Sequence, residues 1–135
     1  MVKMSAVYQG KLHCAVEHEP SGAKIETDAP KDNEGLGEQF SPTDLVGAAL
    51  ATCILTTMAI VAKRNNIAME GAHAEAEKEM VTTPTRRIGA LRVKVHMPAA
   101  LSPEDRRKLE AAGHQCPVHR SLHPDVKIDL QFVYE

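Results

Sequence analysis

The sequence predicts an α+β fold in which one long, wholly apolar helix is embedded among largely antiparallel strands. Two patterns carry that expectation. Residues 45–62 (LVGAALATCILTTMAIVA) form an uncharged run with no polar stripe. The flanking segments alternate apolar and polar residues with period two, as half-buried strands do. Runs of strands punctuated by single helices favour α+β over a parallel, doubly wound sheet. No internal repeat or linker divides the 135 residues, so a single domain over 1–135 is expected.

The elements follow in order. VKMSAVY, KLHCAVEH and GAKIETDA read as strands. Pro30 to Gln39 (PKDNEGLGEQ) is rich in turn residues and charge and reads as a mobile loop. Ser41 is a good N-cap, Pro42 suits the first helical position, and Asp44 three residues after Ser41 is a short-armed capping-box partner. The first helix therefore starts near Pro42 and stops around Arg64 to Asn66, where cations suit the dipole and Asn tolerates a left-handed cap. AHAEAEKEM and LRVKVHM read as a hairpin of strands. Ser102, Pro103, Glu104 and Asp105 start a second helix that runs to about Ala112, with Gly113 as its stop. A short helix opens at Pro117 with Cys116 at its N-cap, and KIDLQFVY closes the chain as a strand.

Composition bounds the function. Aromatic residues make up 3% of the chain and hydrophobic residues 43%, so Ala, Val, Leu, Ile and Met fill the interior and bury little area each. An obligate dimer would relieve that shortage. Sixteen basic and 18 acidic side chains leave a formal net charge of −2, which supplies no electrostatic footprint for nucleic acid or an anionic membrane. Neither is expected as a partner. The apolar run reaches the lower edge of a membrane span in length, but Gly47, three threonines and the charged flanks Asp44 and Lys63-Arg64 read as a buried soluble helix, enclosed by its own sheet and by a partner. The N-terminal residues show no apolar segment followed by a cleavage site, and a cytoplasmic location is expected.

Three cysteines in a reducing compartment read as reactive or incidental thiols rather than as staples. Cys14, in a strand, takes the incidental reading as a small half-buried residue. Cys53 lies inside the apolar helix, where burial raises a thiol pKa, so it needs an activator. Cys116 has a local one, the unpaired N–H groups and positive dipole end of the short helix it caps. His114, Cys116, His119 and His123 crowd into ten residues and offer zinc-type ligands, but Pro117 and Pro124 bracket a helix of barely two turns and the spacing is mixed. No metal is expected there, and no cofactor.

The strings FSPTDLVGAALATC, GLGEQFSPTDL and CPVHRSL followed by VKIDL, with the two cysteines 63 residues apart, are similar to the motifs of one family. The chain resembles the osmotically inducible protein C and organic hydroperoxide resistance family over nearly its whole length. The resemblance implies an OsmC-like, intertwined homodimer with a long buried central helix, a second helix and active sites at the subunit interface. It implies thiol-dependent reduction of organic hydroperoxides. Cys53 would be the peroxidatic thiolate and Cys116 the resolving thiol. A small dithiol or a lipoyl-bearing protein would restore both.

Two departures stand out. Family members with peroxidase chemistry carry a glutamate ten residues before the first cysteine, where this chain has Thr43, and the acidic residue is displaced to Asp44. No arginine precedes Arg64, so the usual thiolate partner has no counterpart in the N-terminal half. Supporting residues could be Asp44 and Glu38, with a cation from Lys11, His13, His18, Lys24 or Lys31, or Arg120 across a dimer. Ser41 and Pro42 favour Asp44 as a helix capper, and Glu38 reads better as a solvated loop residue than as a catalytic one. A non-enzymatic dimer acting as a ligand binder or thiol redox sensor is the alternative reading.

Overall fold

A computed structural model describes residues 1–135, which form two compact units, Met1–Val46 and Gly47–Glu135. The first holds an antiparallel sheet of three strands in the order β1 (Met4–Tyr8), β2 (His13–His18) and β3 (Ala23–Asp28). Its turn from β1 to β2 places Gly10 at φ 87°, and Lys11 and Leu12 follow at 55° and 59°, all in the left-handed region.

The loop after β3 contains a 3₁₀ turn over Lys31–Asn33. It is pinned by its own backbone, since the Asp28 amide donates to Phe40 and the Gly37 amide to Ala29. Gly35 makes this possible: a Cβ there would stand 1.7 Å from the Ala29 carbonyl oxygen, closer than any side chain tolerates.

Helix α1 (Pro42–Arg64) begins as the cap residues dictate. The Asp44 amide donates to Ser41 Oγ at 3.0 Å and the Ser41 amide to Asp44 Oδ2 at 2.9 Å, a reciprocal capping box with Asp in place of the longer Glu. At the other end Asn66 takes a φ of 54°, the left-handed residue that closes the helix. Although the helix is apolar all round, its buried residues form one stripe, Gly47, Leu50, Ala51, Ile54, Met58 and Ala62. The four-residue spacing from Leu50 to Ala62 keeps them on a single face. Burial on all sides is therefore not what one chain provides.

The second unit holds β4 (His73–Val81), β5 (Arg87–Met97) and β6 (Lys127–Tyr134) in that order. Strands β4 and β5 pair antiparallel, whereas β5 and β6 run parallel from Ala90↔Lys127 to Met97↔Tyr134. The parallel pair follows from the connection: α2 (Pro103–Gly113) and α3 (Pro117–Ser121) lie between β5 and β6 and form a crossover, which antiparallel neighbours do not need. Strand β5 begins at Arg87, four residues before the regular alternation from Leu91 that marks it in the sequence. Its inward residues Leu91, Val93, Val95 and Met97 are each at most 2% exposed, and the alternate positions Arg92 and Lys94 are exposed.

Gly113 ends α2, but its backbone is not left-handed and the next residue, His114, is still right-handed at φ −69° and ψ −14°. Packing explains the glycine better than capping does. A Cβ there would meet Met58 Sδ and Phe132 Cζ at 3.2 Å, so the absence of a side chain lets α2 close down on α1 and β6.

Candidate functional site

The second unit brings the two expected thiols together. Cys53 is half-buried on α1 and Cys116 is fully buried at the N-cap of α3; neither is in a disulfide. Pro117 at the first position of α3 leaves the next amides free to point back at the cap. The His119 amide donates to Cys116 Sγ at 3.3 Å, the local anion-favouring contact that the sequence suggests.

The net effect on Cys116 is nevertheless the opposite of activation. Burial pushes its thiol pKa up, and although the amides of His119 and Val118 pull it down, a hydrogen bond with Cys53 and the charge that Cys53 would carry push it up again. Desolvation outweighs the helix N-terminus because the sulfur has no exposed surface left to hydrate a thiolate. The local stabilisation expected at Cys116 is present, and burial outweighs it. The contact with Cys53 adds to the upward push on the Cys116 thiol.

The other residues singled out in the sequence occupy different settings. Asp44 is a capping residue, bound to the Ser41 amide. Glu38 has an exposed side chain, while its backbone amide donates to Asp28 Oδ2 at 3.1 Å. Arg120 is exposed and donates from Nη1 to Gln115 Oε1 at 3.1 Å. Of the cationic possibilities, His13 is the one most engaged: Nδ1 lies 2.6 Å from Asp28 Oδ1 and Nε2 lies 3.2 Å from Glu26 Oε1. The Asp28 hydrogen bond, then that of Glu26, raises the His13 pKa above its ordinary value. Asp28 is 1% exposed and holds both His13 and the loop amide of Glu38. A carboxylate closing a strand carries no motif, so nothing in the sequence marks Asp28.

The crowded histidines near Cys116 disperse. His114 packs edge-on to Phe132 with ring centroids 5.9 Å apart, His123 Nδ1 accepts from the Asp125 amide, and His119 Nδ1 is buried without a hydrogen-bond partner.

A family model described as OsmC-like protein matches residues 35–131, a span that includes both thiols. The chain belongs to the OsmC-like family. Solved OsmC-like structures share its fold along almost the whole chain. A Psychrobacter arcticus protein named for osmotic-stress induction and a detoxification response is 35% identical, with 98% of this chain and 96% of that one covered and a TM-score of 0.92. An organic hydroperoxide resistance protein OsmC from Legionella pneumophila is 21% identical over 98% of this chain and 96% of its own, with a TM-score of 0.80. OhrB of Bacillus subtilis, named as an organic hydroperoxide resistance protein, is 20% identical over 98% of each chain, with a TM-score of 0.71. In this OsmC-like chain α1 is long and apolar enough to cross a membrane, yet Leu50, Ile54 and Met58 are 0% exposed, as suits a core helix of the shared fold.

Proposed function

We propose that this OsmC-like protein reduces organic hydroperoxides through Cys53 and Cys116. The observation that carries the reading is the contact between a half-buried thiol and a fully buried one whose pKa burial pushes up. Accessibility supports the division of roles. Cys53 is the sulfur a peroxide can reach, and Cys116 is shielded until Cys53 has reacted. Relatives named for organic hydroperoxide resistance support the substrate class.

The chemistry balances in two steps. The Cys53 thiolate attacks the distal oxygen of ROOH; the O–O bond breaks, Cys53 becomes a sulfenic acid, and the alkoxide takes up a proton to leave as ROH. The Cys116 thiol then displaces hydroxide from the sulfenic sulfur, forming the Cys53–Cys116 disulfide and water. A dithiol, free or lipoyl-bound, donates two electrons and two protons to restore the pair. Asp44, Glu38 and Arg120 remain supporting residues in this reading. The protein acts in the cytoplasm as a homodimer, whose second copy covers apolar side chains that one chain leaves exposed, among them Met4, Val7, Ile25, Phe40 and Ile60.

Stoichiometric alkyl hydroperoxide added to reduced protein should remove two hydrogens, mapped by mass spectrometry to a Cys53–Cys116 bond. Cys53→Ser should be inert, and Cys116→Ser should gain one oxygen at Cys53. Unchanged thiols after prolonged exposure would sink the peroxidase reading. The raised pKa of Cys116 and Thr43 at the family's glutamate position would then favour the binder or slow thiol sensor.

A further inference from the structure

At one end of the β4–β5 ladder, remote in sequence from either thiol, His73 and His96 sit directly opposite each other in register. Their imidazole rings stack, 4.5 Å between centroids and 3° from parallel. The hydrogen bonds around them fix where the ring protons are. His96 Nδ1 lies 2.8 Å from a Glu135 carboxylate oxygen, and His73 Nδ1 lies 3.1 Å from the Gly71 carbonyl oxygen. Both partners can only accept, so in each ring Nδ1 carries the hydrogen. In the neutral rings the lone pair is then on Nε2 in both cases.

This is the arrangement by which proteins prepare histidine for a metal ion, with one nitrogen held by a carboxylate or carbonyl and the other left basic. His96 Nε2 is buried and has no hydrogen-bond partner. A buried lone pair left unmatched is a cost that a ligand would remove. The nearest carboxylate oxygen is Glu75 Oε2, 3.7 Å away, two residues along the strand from His73 and on a side chain that is 69% exposed and free to turn.

We propose that His73, His96 and Glu75 form a binding site for a divalent transition ion, zinc being the natural probe. Two imidazole nitrogens and one carboxylate oxygen suit that ion, whereas magnesium and calcium prefer oxygen alone. No three ligand-type side chains yet converge on one point, so the ion draws in the exposed Glu75 and turns the stacked rings toward itself. Glu135 and the Gly71 carbonyl accept from Nδ1, which leaves Nε2 as the basic nitrogen while the rings tilt. The site is independent of the thiol chemistry and would survive its refutation.

Zinc titrated calorimetrically into the full chain, in wild type and in the Cys53→Ser/Cys116→Ser variant, tests this. One zinc per chain should bind in both, with ring Nε2 resonances of His73 and His96 shifting in long-range nitrogen–proton spectra. His73→Gln, on the more exposed strand end and the less apt to disturb folding, and His96→Gln should each weaken binding at least ~10-fold, and the orienting variant Glu135→Gln by ~10-fold. His114→Gln/His123→Gln should leave it unchanged. No zinc binding, loss of binding confined to the cysteine variant, or undiminished affinity in His73→Gln would overturn the proposal.

Discussion

Up to Val46 the chain buries polar side chains and exposes apolar ones, and from Gly47 onward it does the reverse. In the first unit the buried residues are Thr27, Asp28 and Ser41, while Val7, Tyr8 and Phe40 are 61%, 63% and 55% exposed. In the second, Leu50, Ile54, Met58, Leu91, Val95 and Leu109 are all 0% exposed, and Ile60 is the one large apolar residue left exposed. Two sources of order follow. The second unit is held by close-packed apolar contact, which is non-directional and scales with area. The first is organised by directional bonds: the capping box of Ser41 and Asp44, and the Asp28 carboxylate that receives His13 on one oxygen and the Glu38 amide on the other. Such polar bonds orient a loop well but contribute little net stability, because each replaces one with water.

That contrast sets the size of what substitutions should do. The largest effect belongs to the apolar core: Ile54→Ala, which empties space beside Gly113, should cost about 2–5 kcal/mol in denaturant unfolding. A cost below about 1 kcal/mol would mean that the core collapses around the gap. Ser41→Ala strips the cap acceptor from the Asp44 amide and should cost about 1 kcal/mol. Its signature is local, faster hydrogen exchange in the first turn of α1.

The smallest effect is that of pH on the His13 pair. Because the folded-state pKa of His13 is raised by its bond to Asp28 and then by that to Glu26, the charge-assisted contribution is fully present below the unfolded value near 6.5 and fades as pH rises through the folded value. The ring titration followed by NMR should therefore have its midpoint above 6.5, and Asp28→Asn should move it down. A midpoint unmoved by Asp28→Asn would show that the buried carboxylate does not govern the pair.

The histidines illustrate how much was legible beforehand. Ser41, Pro42 and Asp44 announced the start of α1, and Asn66 its end, since capping depends on residues within four positions of one another. Likewise Ser102 accepts from the Asp105 amide at 3.1 Å, as its spacing implied. Asp28 gave no such signal, because its partners come from β2 and from the loop beyond β3. His73 and His96 are neighbours only through a strand register, which period-two patterning leaves free to slip. Gly113 marked the right boundary for a different reason: it is a contact point rather than a left-handed cap.

Sequence alone determined the helix ends, the strand periodicity, the resemblance to the OsmC-like family and the presence of a capped thiol at Cys116, all of which rest on short-range chemistry or on motif. Tertiary structure decided the parallel pairing of β5 with β6, the single buried stripe of α1 and the burial that reverses the expected effect of the cap on Cys116. It also decided that Cys116 faces Cys53 and His73 faces His96. The physical reason is the same each time. A cap acts over one turn of backbone, whereas solvation and side-chain encounter depend on what the rest of the chain brings alongside.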